Sequence, residues 1–134
     1  MKKEDISLIA NDTILNFPKK INPPIIMFLS KQRFSKYLDF MKLTKHLSKT
    51  PCFIAEMKGG SVIYFCPEII NNLIKEKHLN KKEFIKAITV HELYHAYNHL
   101  TINSEESALF SEALVHKEIK ENFPKEYRFI SKHF

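Results

Sequence analysis

Two histidines four residues apart, His91 and His95, constrain the sequence most strongly, and Glu92 directly follows the first. Apolar residues recur around them at helical spacing, which predicts one long helix over residues 81–100 with Asn80 as its N-cap. Residues four apart share one helical face, about 5.4 Å apart along the axis, so both imidazoles can reach one metal ion. His-Glu-x-x-His on a helix is typical of zinc enzymes in which the glutamate is the general base.

A catalytic zinc ion has three protein ligands and one open position for water, so the third ligand must come from elsewhere in the chain. His99 continues the row of histidines, but three ligands along one straight helix would span about 11 Å, which is too far for one ion. Residues 105–122 predict a second helix, since Ser104 can cap it and acidic residues follow in its first turn. This helix is the best source of a third ligand.

If the second helix folds back antiparallel to the first, the distance of each candidate from the turn follows from a rise of about 1.5 Å per residue. Glu112 then lies level with the gap between the two motif histidines. Glu105 and Glu106 stay near the turn and His116 lies about one turn too far, and these three remain the alternatives. The predicted site comprises Glu92 as the general base; His91, His95 and Glu112 as ligands of one zinc ion per chain; and His99, Tyr94 and His116 as residues that support the ligands or contact the substrate.

Gly59 and Gly60, the chain's only two glycines, lie between β-rich runs at residues 52–55 and 62–66. Glycine reaches the positive φ that a tight turn requires, so this segment predicts a β-hairpin. We expect the second strand to be the edge of the sheet above the metal helix, where an extended peptide substrate can pair with it. The residues of this predicted substrate edge are Val62, Ile63, Tyr64 and Phe65.

The length of the hairpin loop decides the relation between the two cysteines, Cys52 and Cys66. A three-residue loop at residues 58–60 places them opposite each other, where a cross-strand disulfide can form. A two-residue Gly-Gly loop shifts the register by one and separates them. A disulfide and a pair of buried thiols are equal alternatives, and two cysteines are too few for the disulfide framework of a small secreted protein.

The remaining segments are also mostly helical by their periodicity and their proline positions. Further helices are predicted at residues 6–15, at 22–47 with a break near 30–33, and at 68–75. Pro124 ends the helix that begins at residue 105, and no structure is predicted after it.

A chain of 134 residues is about the size of one domain. We expect a single α+β unit over residues 1–134, a small, mostly helical zincin-like metalloprotease domain whose short β-hairpin packs on the metal-binding helix. Residues 1–21 form an N-terminal extension or helix, residues 22–122 the core, and residues 123–134 a tail.

The net charge of +6 favours acidic partners, but the lysines are dispersed, which indicates a solvated surface rather than a nucleic-acid patch. No apolar run reaches the roughly 18 residues of a membrane-spanning helix. Lys2-Lys3 is followed at once by Glu4-Asp5, without the apolar region of a secretory signal. We expect an intracellular protein that is soluble or peripherally attached to a membrane; its oligomeric state has no signature in the sequence.

The segment 91–99, His-Glu-Leu-Tyr-His-Ala-Tyr-Asn-His, resembles the metal helix of the mitochondrial ATP-synthase-assembly metalloprotease family, typically His-Glu-Leu-Ile-His-Ala-Phe-Asp-His. Three other stretches are similar: Asn22-Pro23 before an apolar segment, Gly59-Gly60 before the second strand, and Ser111-Glu112. The chain departs from the family in having only two cysteines, Asn98 where aspartate is common, and Leu114-Val115 where an arginine is usual.

This resemblance implies a compact zincin fold and supports Glu112 as the third ligand. It also implies a location in the mitochondrial intermembrane space, peripheral to the inner membrane, and a role in processing inner-membrane proteins or assisting their assembly.

The motif thus predicts a zinc-dependent metalloendopeptidase that acts on protein or peptide substrates, with Glu92 taking a proton from zinc-bound water. Tyr94 or Tyr97 is a candidate to stabilise the oxyanion. The alternatives are a DNA-associated zincin that cleaves protein substrates, and a non-catalytic assembly factor or chaperone that retains the fold.

Overall fold

The computed structural model describes the backbone of residues 1–40, 51–57, 60–98 and 105–133. It describes their side chains except at residues 38–40, 56–57, 98, 105–112 and 133. The elements within these ranges are α1 Lys3–Leu15, β1 Ile25–Phe28, α2 Lys31–Phe40, β2 Cys52–Met57, β3 Gly60–Phe65, α3 Pro67–Lys77, α4 Lys81–Asn98, α5 Glu105–Asn122 and α6 Pro124–His133. The protein is therefore α+β and mostly helical, as the sequence predicts.

The sheet has three strands in the order β1-β3-β2, with β1 parallel and β2 antiparallel to β3. The predicted substrate edge, Val62, Ile63, Tyr64 and Phe65, is thus the middle of the sheet. That prediction is wrong, because both sides of β3 are already hydrogen-bonded and cannot accept another strand. In the part of the chain that the structure describes, β2 is the edge strand that packs against α4.

Strand β1 occupies the start of the segment predicted as a helix over residues 22–47. Ile25 pairs with Val62 and Phe28 with Phe65, so a run rich in β-branched and aromatic residues gains strand hydrogen bonds from a distant part of the chain. Only Lys31–Phe40 of the predicted helix is helical among the described residues, and residues 41–47 lie outside them.

The hairpin register separates the two cysteines. Met57 pairs with Gly60 and Cys52 with Phe65, while the Cys66 N–H donates to the Pro51 carbonyl at 3.1 Å. Cys52 and Cys66 therefore lie one residue out of register, and both are free, buried thiols. The cross-strand disulfide is not formed, because it required a three-residue loop.

Both ends of the described chain belong to the packed structure. Helix α1 packs against α4 and contributes Ile6 and Ala10, which are completely buried, to the main core. The predicted tail is in fact helix α6, which starts at Pro124 and packs against α4 and α5. Proline at a helix start lacks only an N–H that would have no helical partner.

Helices α4 and α5 are joined by residues 99–104 and pack against each other, so α5 folds back along α4. A second buried cluster joins them, formed by Val90, Tyr94, Val115 and Ile119. None of the helices that the structure describes is both long enough and apolar enough to cross a membrane.

We predict that α1 contributes to global stability rather than behaving as an extension. Ile6→Ala should lower the free energy of unfolding by about 3 kcal/mol, because it leaves a cavity in the core. Leu8→Ala on the same helix should change it by less than about 0.5 kcal/mol, because Leu8 is 74% exposed. Urea denaturation measures both variants, and equally small effects would show that α1 is not part of the cooperative unit.

Candidate metal centre

The two motif histidines lie side by side on α4. The ring centroids of His91 and His95 are 4.7 Å apart, with the ring planes at 81°. Both residues are half-buried, and the side chain of His91 is 25% exposed. Two imidazoles one helical turn apart on the accessible side of a helix can bind the same ion.

The carboxylate of Glu92 connects α4 to the edge strand β2. Its Oε2 accepts a hydrogen bond from the backbone N–H of Ile54 at 3.2 Å, and the side chain is only 14% exposed. Its Oε1 lies 3.4 Å from Nδ1 of His91. If Nδ1 carries the proton, it donates to this oxygen and the ring lone pair is on Nε2, so the carboxylate also orients the histidine toward a metal.

Helix α5 brings a third imidazole to the site. The ring centroid of His116 lies 5.8 Å from that of His91, with the planes at 86°. Counting along the helix axis from the sequence puts His116 about one turn beyond the motif histidines. In the structure its ring lies beside that of His91.

The position of His116 also sets the level of Glu112. Glu112 precedes His116 by four residues, so the two share one face of α5. Because α5 folds back along α4, Glu112 lies on the His95 side of His116. The side chain of Glu112 lies outside the described part of the chain, as do those of Glu105 and Glu106.

Tyr94 is a core residue rather than a substrate contact. It is completely buried, with ring centroids 4.9 Å from Phe17 and 6.0 Å from Phe123. Burial, and then the charge of Glu118, raise the pKa of its hydroxyl. The proposed contact with substrate or oxyanion is therefore wrong for Tyr94, because this side of α4 faces the second buried cluster.

Tyr97 lies on the Tyr94 side of α4. It packs edge-on against Tyr94 with ring centroids 6.5 Å apart, and the ammonium group of Lys19 lies 5.6 Å from the centroid of its ring. This places Tyr97 away from the histidine side, so it is a poor oxyanion donor. His99 lies outside the described residues.

Cys52 lies between β2 and α4, close to the site, and is buried. Its thiol donates to the Ile88 carbonyl at 3.9 Å. Burial, and then the charge of Glu92, raise its pKa well above the ordinary value, and burial also raises the pKa of Cys66. A thiol that stays protonated is a poor nucleophile and a poor metal ligand.

Among the side chains that the structure describes, no three from His, Cys, Asp and Glu converge closely enough to hold a metal ion. The described part of the site supplies the pair His91 and His95, with His116 beside the first. Completion of a three-ligand site therefore depends on the adjacent segment of α5, where Glu112 lies. A set of two histidines and a carboxylate has the donor chemistry of a catalytic zinc ion, so these residues fit that metal.

Sequence reasoning missed Ile54, the backbone donor that holds Glu92, and the placement of His116 beside His91. Neighbouring residues in the sequence indicate neither of them. The Ile54 hydrogen bond depends on the packing of β2 on α4, and the placement of His116 depends on the packing of α5 on α4.

Comparison of the chain with models of protein families, with curated proteins and with solved structures finds no match. The resemblance to the metalloprotease family therefore stays a prediction from the motif residues.

We predict that neither thiol reacts in the native protein. At pH 8 Cys52 and Cys66 should resist a disulfide reagent such as dithionitrobenzoate, and both should react once the chain is unfolded in guanidinium chloride. Because their folded-state pKa values are raised, the unfolded chain loses these protons at lower pH, so the free energy of unfolding should fall as pH rises through the ordinary cysteine range. A rapidly reacting thiol in the native protein would contradict the burial of these residues.

Proposed function

We propose that this protein is a zinc-dependent metalloendopeptidase, in which His91, His95 and Glu112 hold one zinc ion and Glu92 is the general base. The position of Glu92 supports this most strongly. Its carboxylate lies beside His91, a proposed zinc ligand, and also contacts the edge strand along which a peptide can lie. A histidine pair that served only to stabilise the fold would not need such a carboxylate.

Zinc bound by these residues would supply Lewis-acid chemistry, lowering the pKa of water to about 7 and polarising a carbonyl group. Zinc suits the site because it accepts both imidazole and carboxylate ligands in tetrahedral geometry. The rise of α5 supports Glu112 as the third ligand, since Glu112 lies one turn before His116, toward the level of His95.

The edge strand β2 is the surface on which a substrate peptide would bind. The Ile54 N–H points away from β3, since it donates to Glu92. N–H groups alternate in direction along an antiparallel strand, so those of Cys52 and Glu56 point to the same outer edge. An extended peptide can pair with the amides of Cys52 and Glu56, on either side of the one that holds Glu92, which places a peptide bond close to Glu92 and the histidines.

In this arrangement Glu92 takes a proton from the attacking water and returns it to the leaving amine. The Ile54 N–H holds one carboxylate oxygen, which limits the rotation of the side chain and keeps the other oxygen near the histidines. A general base that is already held in position loses little conformational freedom in the transition state, and this increases its contribution to the rate.

The resemblance of residues 91–99 and of Ser111-Glu112 to the mitochondrial metalloprotease family supports a narrower proposal. The substrates are then proteins of the inner membrane, which the enzyme processes or helps to assemble, and it acts as a peripheral protein in the intermembrane space. The net charge of +6 favours acidic partners in general, and an anionic lipid surface is one of them.

We predict about one zinc ion per chain in the purified wild type, in keeping with one catalytic site. His95→Ala and Glu112→Ala should each lose the metal or bind it much more weakly, because each removes a ligand. Glu121→Ala, an exposed position on the same helix as Glu112, is the matched control and should keep the metal. Elemental analysis by mass spectrometry measures all four proteins.

Two results would revise the proposal. Zinc retained by Glu112→Ala would move the third ligand to Glu105, Glu106 or His116. A wild type that binds no zinc even after reconstitution would refute the proposal of a zinc-dependent enzyme and favour a non-catalytic assembly factor.

We predict that Glu92→Gln keeps its zinc but loses hydrolysis by a factor of about 10² to 10⁴, the usual contribution of a general base. The amide oxygen of glutamine can still accept the Ile54 hydrogen bond, so the local structure should be kept. Glu83→Gln, in the first turn of the same helix, should retain full activity. Cleavage of a peptide library measured by mass spectrometry tests both, and undiminished hydrolysis by metal-loaded Glu92→Gln would exclude this mechanism.

A further inference from the structure

Two ring contacts in succession link His91 of the histidine pair to α6 through His116. The His116 ring packs edge-on against His91, with centroids 5.8 Å apart. The Tyr127 ring in turn packs edge-on against His116, with centroids 6.5 Å apart and planes at 88°. The ammonium group of Lys120 lies 5.8 Å from the centroid of the Tyr127 ring. Three successive helices thus each contribute one ring.

Tyr127 is held in a well-defined place. The preceding residue, Glu126, is nearly buried and forms an ion pair with Lys86 of α4 at 3.2 Å. Phe129 packs against Phe84 of α4, with ring centroids 6.2 Å apart. The Tyr127 ring also packs against the second buried cluster. Helix α6 is therefore fixed to α4 on both sides of Tyr127, so contact with this ring restricts the movement of His116.

We propose that His116 and Tyr127 are positioning residues for the metal ligand His91. The inference rests on the proposed zinc site. His116 limits the rotation of the His91 ring, and Tyr127 holds His116 in place from α6. Both contacts have the edge-to-face geometry that aromatic rings prefer, and rotation of either ring would disturb it. A ligand whose ring is already oriented loses less conformational entropy when it binds metal, so its support raises metal affinity.

Zinc affinity of variants tests this support directly. His116→Ala and Tyr127→Leu should each weaken zinc binding by about 10- to 100-fold, the usual effect of losing a residue that orients a metal ligand. Tyr127→Phe keeps the ring and should bind like the wild type. Lys132→Ala, an exposed position on the same helix, is the matched control and should also leave affinity unchanged. Competition with a chromophoric chelator measures each dissociation constant.

The double variant His116→Ala/Tyr127→Leu separates a positioning role from a general loss of stability. If Tyr127 acts through His116, the double variant should bind zinc no more weakly than His116→Ala alone. Independent losses that multiply in the double variant would overturn the inference, and so would wild-type affinity in Tyr127→Leu. A complete loss of zinc in His116→Ala would make His116 a ligand and would also overturn it.

A measurement on the unaltered protein covers the case in which a variant fails to fold. Zinc added to the metal-free wild type should shift the NMR ring resonances of His116 and Tyr127. The ring resonances of Tyr37 and Tyr64 should not move, because these two stack on each other on the sheet face away from α4. Zinc binding that leaves Tyr127 unshifted would overturn the inference alone, whereas a wild type that binds no zinc would overturn the proposed function with it.

Discussion

Helix α4 packs against α1, α5, α6 and β2, and most of its large apolar side chains are buried against these neighbours. Phe84, Ile85, Val90, Leu93 and Tyr94 each have no exposed surface. Burial of five such side chains contributes on the order of 10 kcal/mol to folding before the entropy cost, so the surrounding elements are organised around this helix. The side of α4 that carries His91, Glu92 and His95 is only half-buried, so these three polar side chains lie on the accessible side of the helix.

The local elements could be predicted because their signals are local. Helix α5 has the predicted bounds, α3 and α4 agree with prediction to within a few residues, and the two glycines predict the hairpin. Strand β1 could not be predicted, since its four residues become a strand only through pairing with β3. The same pairing makes β3 the central strand, so one missed contact in the sheet also put the substrate edge on the wrong strand.

The candidate site shows the same division. The spacing of His91 and His95 is a property of any helix, so the sequence alone predicts that their rings meet. The placement of His116 depends on the direction of its side chain as well as on its position along the helix, because side chains on a helix lean toward its N-terminus. In α5 that direction leads back toward the turn, so the His116 ring lies nearer the motif than its position along the axis suggests. Distances counted along a helix axis therefore misplace long side chains by a large part of a turn.

The hydrogen bond between Glu92 and the Ile54 amide has a further consequence for solubility. An edge strand with unpaired amides is a template for the strands of other molecules, and proteins commonly place charges there to prevent aggregation. Glu92 occupies one of these amides with a charged group that belongs to the same chain. A second copy of β2 would have to displace this carboxylate before the two strands could pair along their full length, so the residue that we assign to catalysis also disfavours self-association of the sheet.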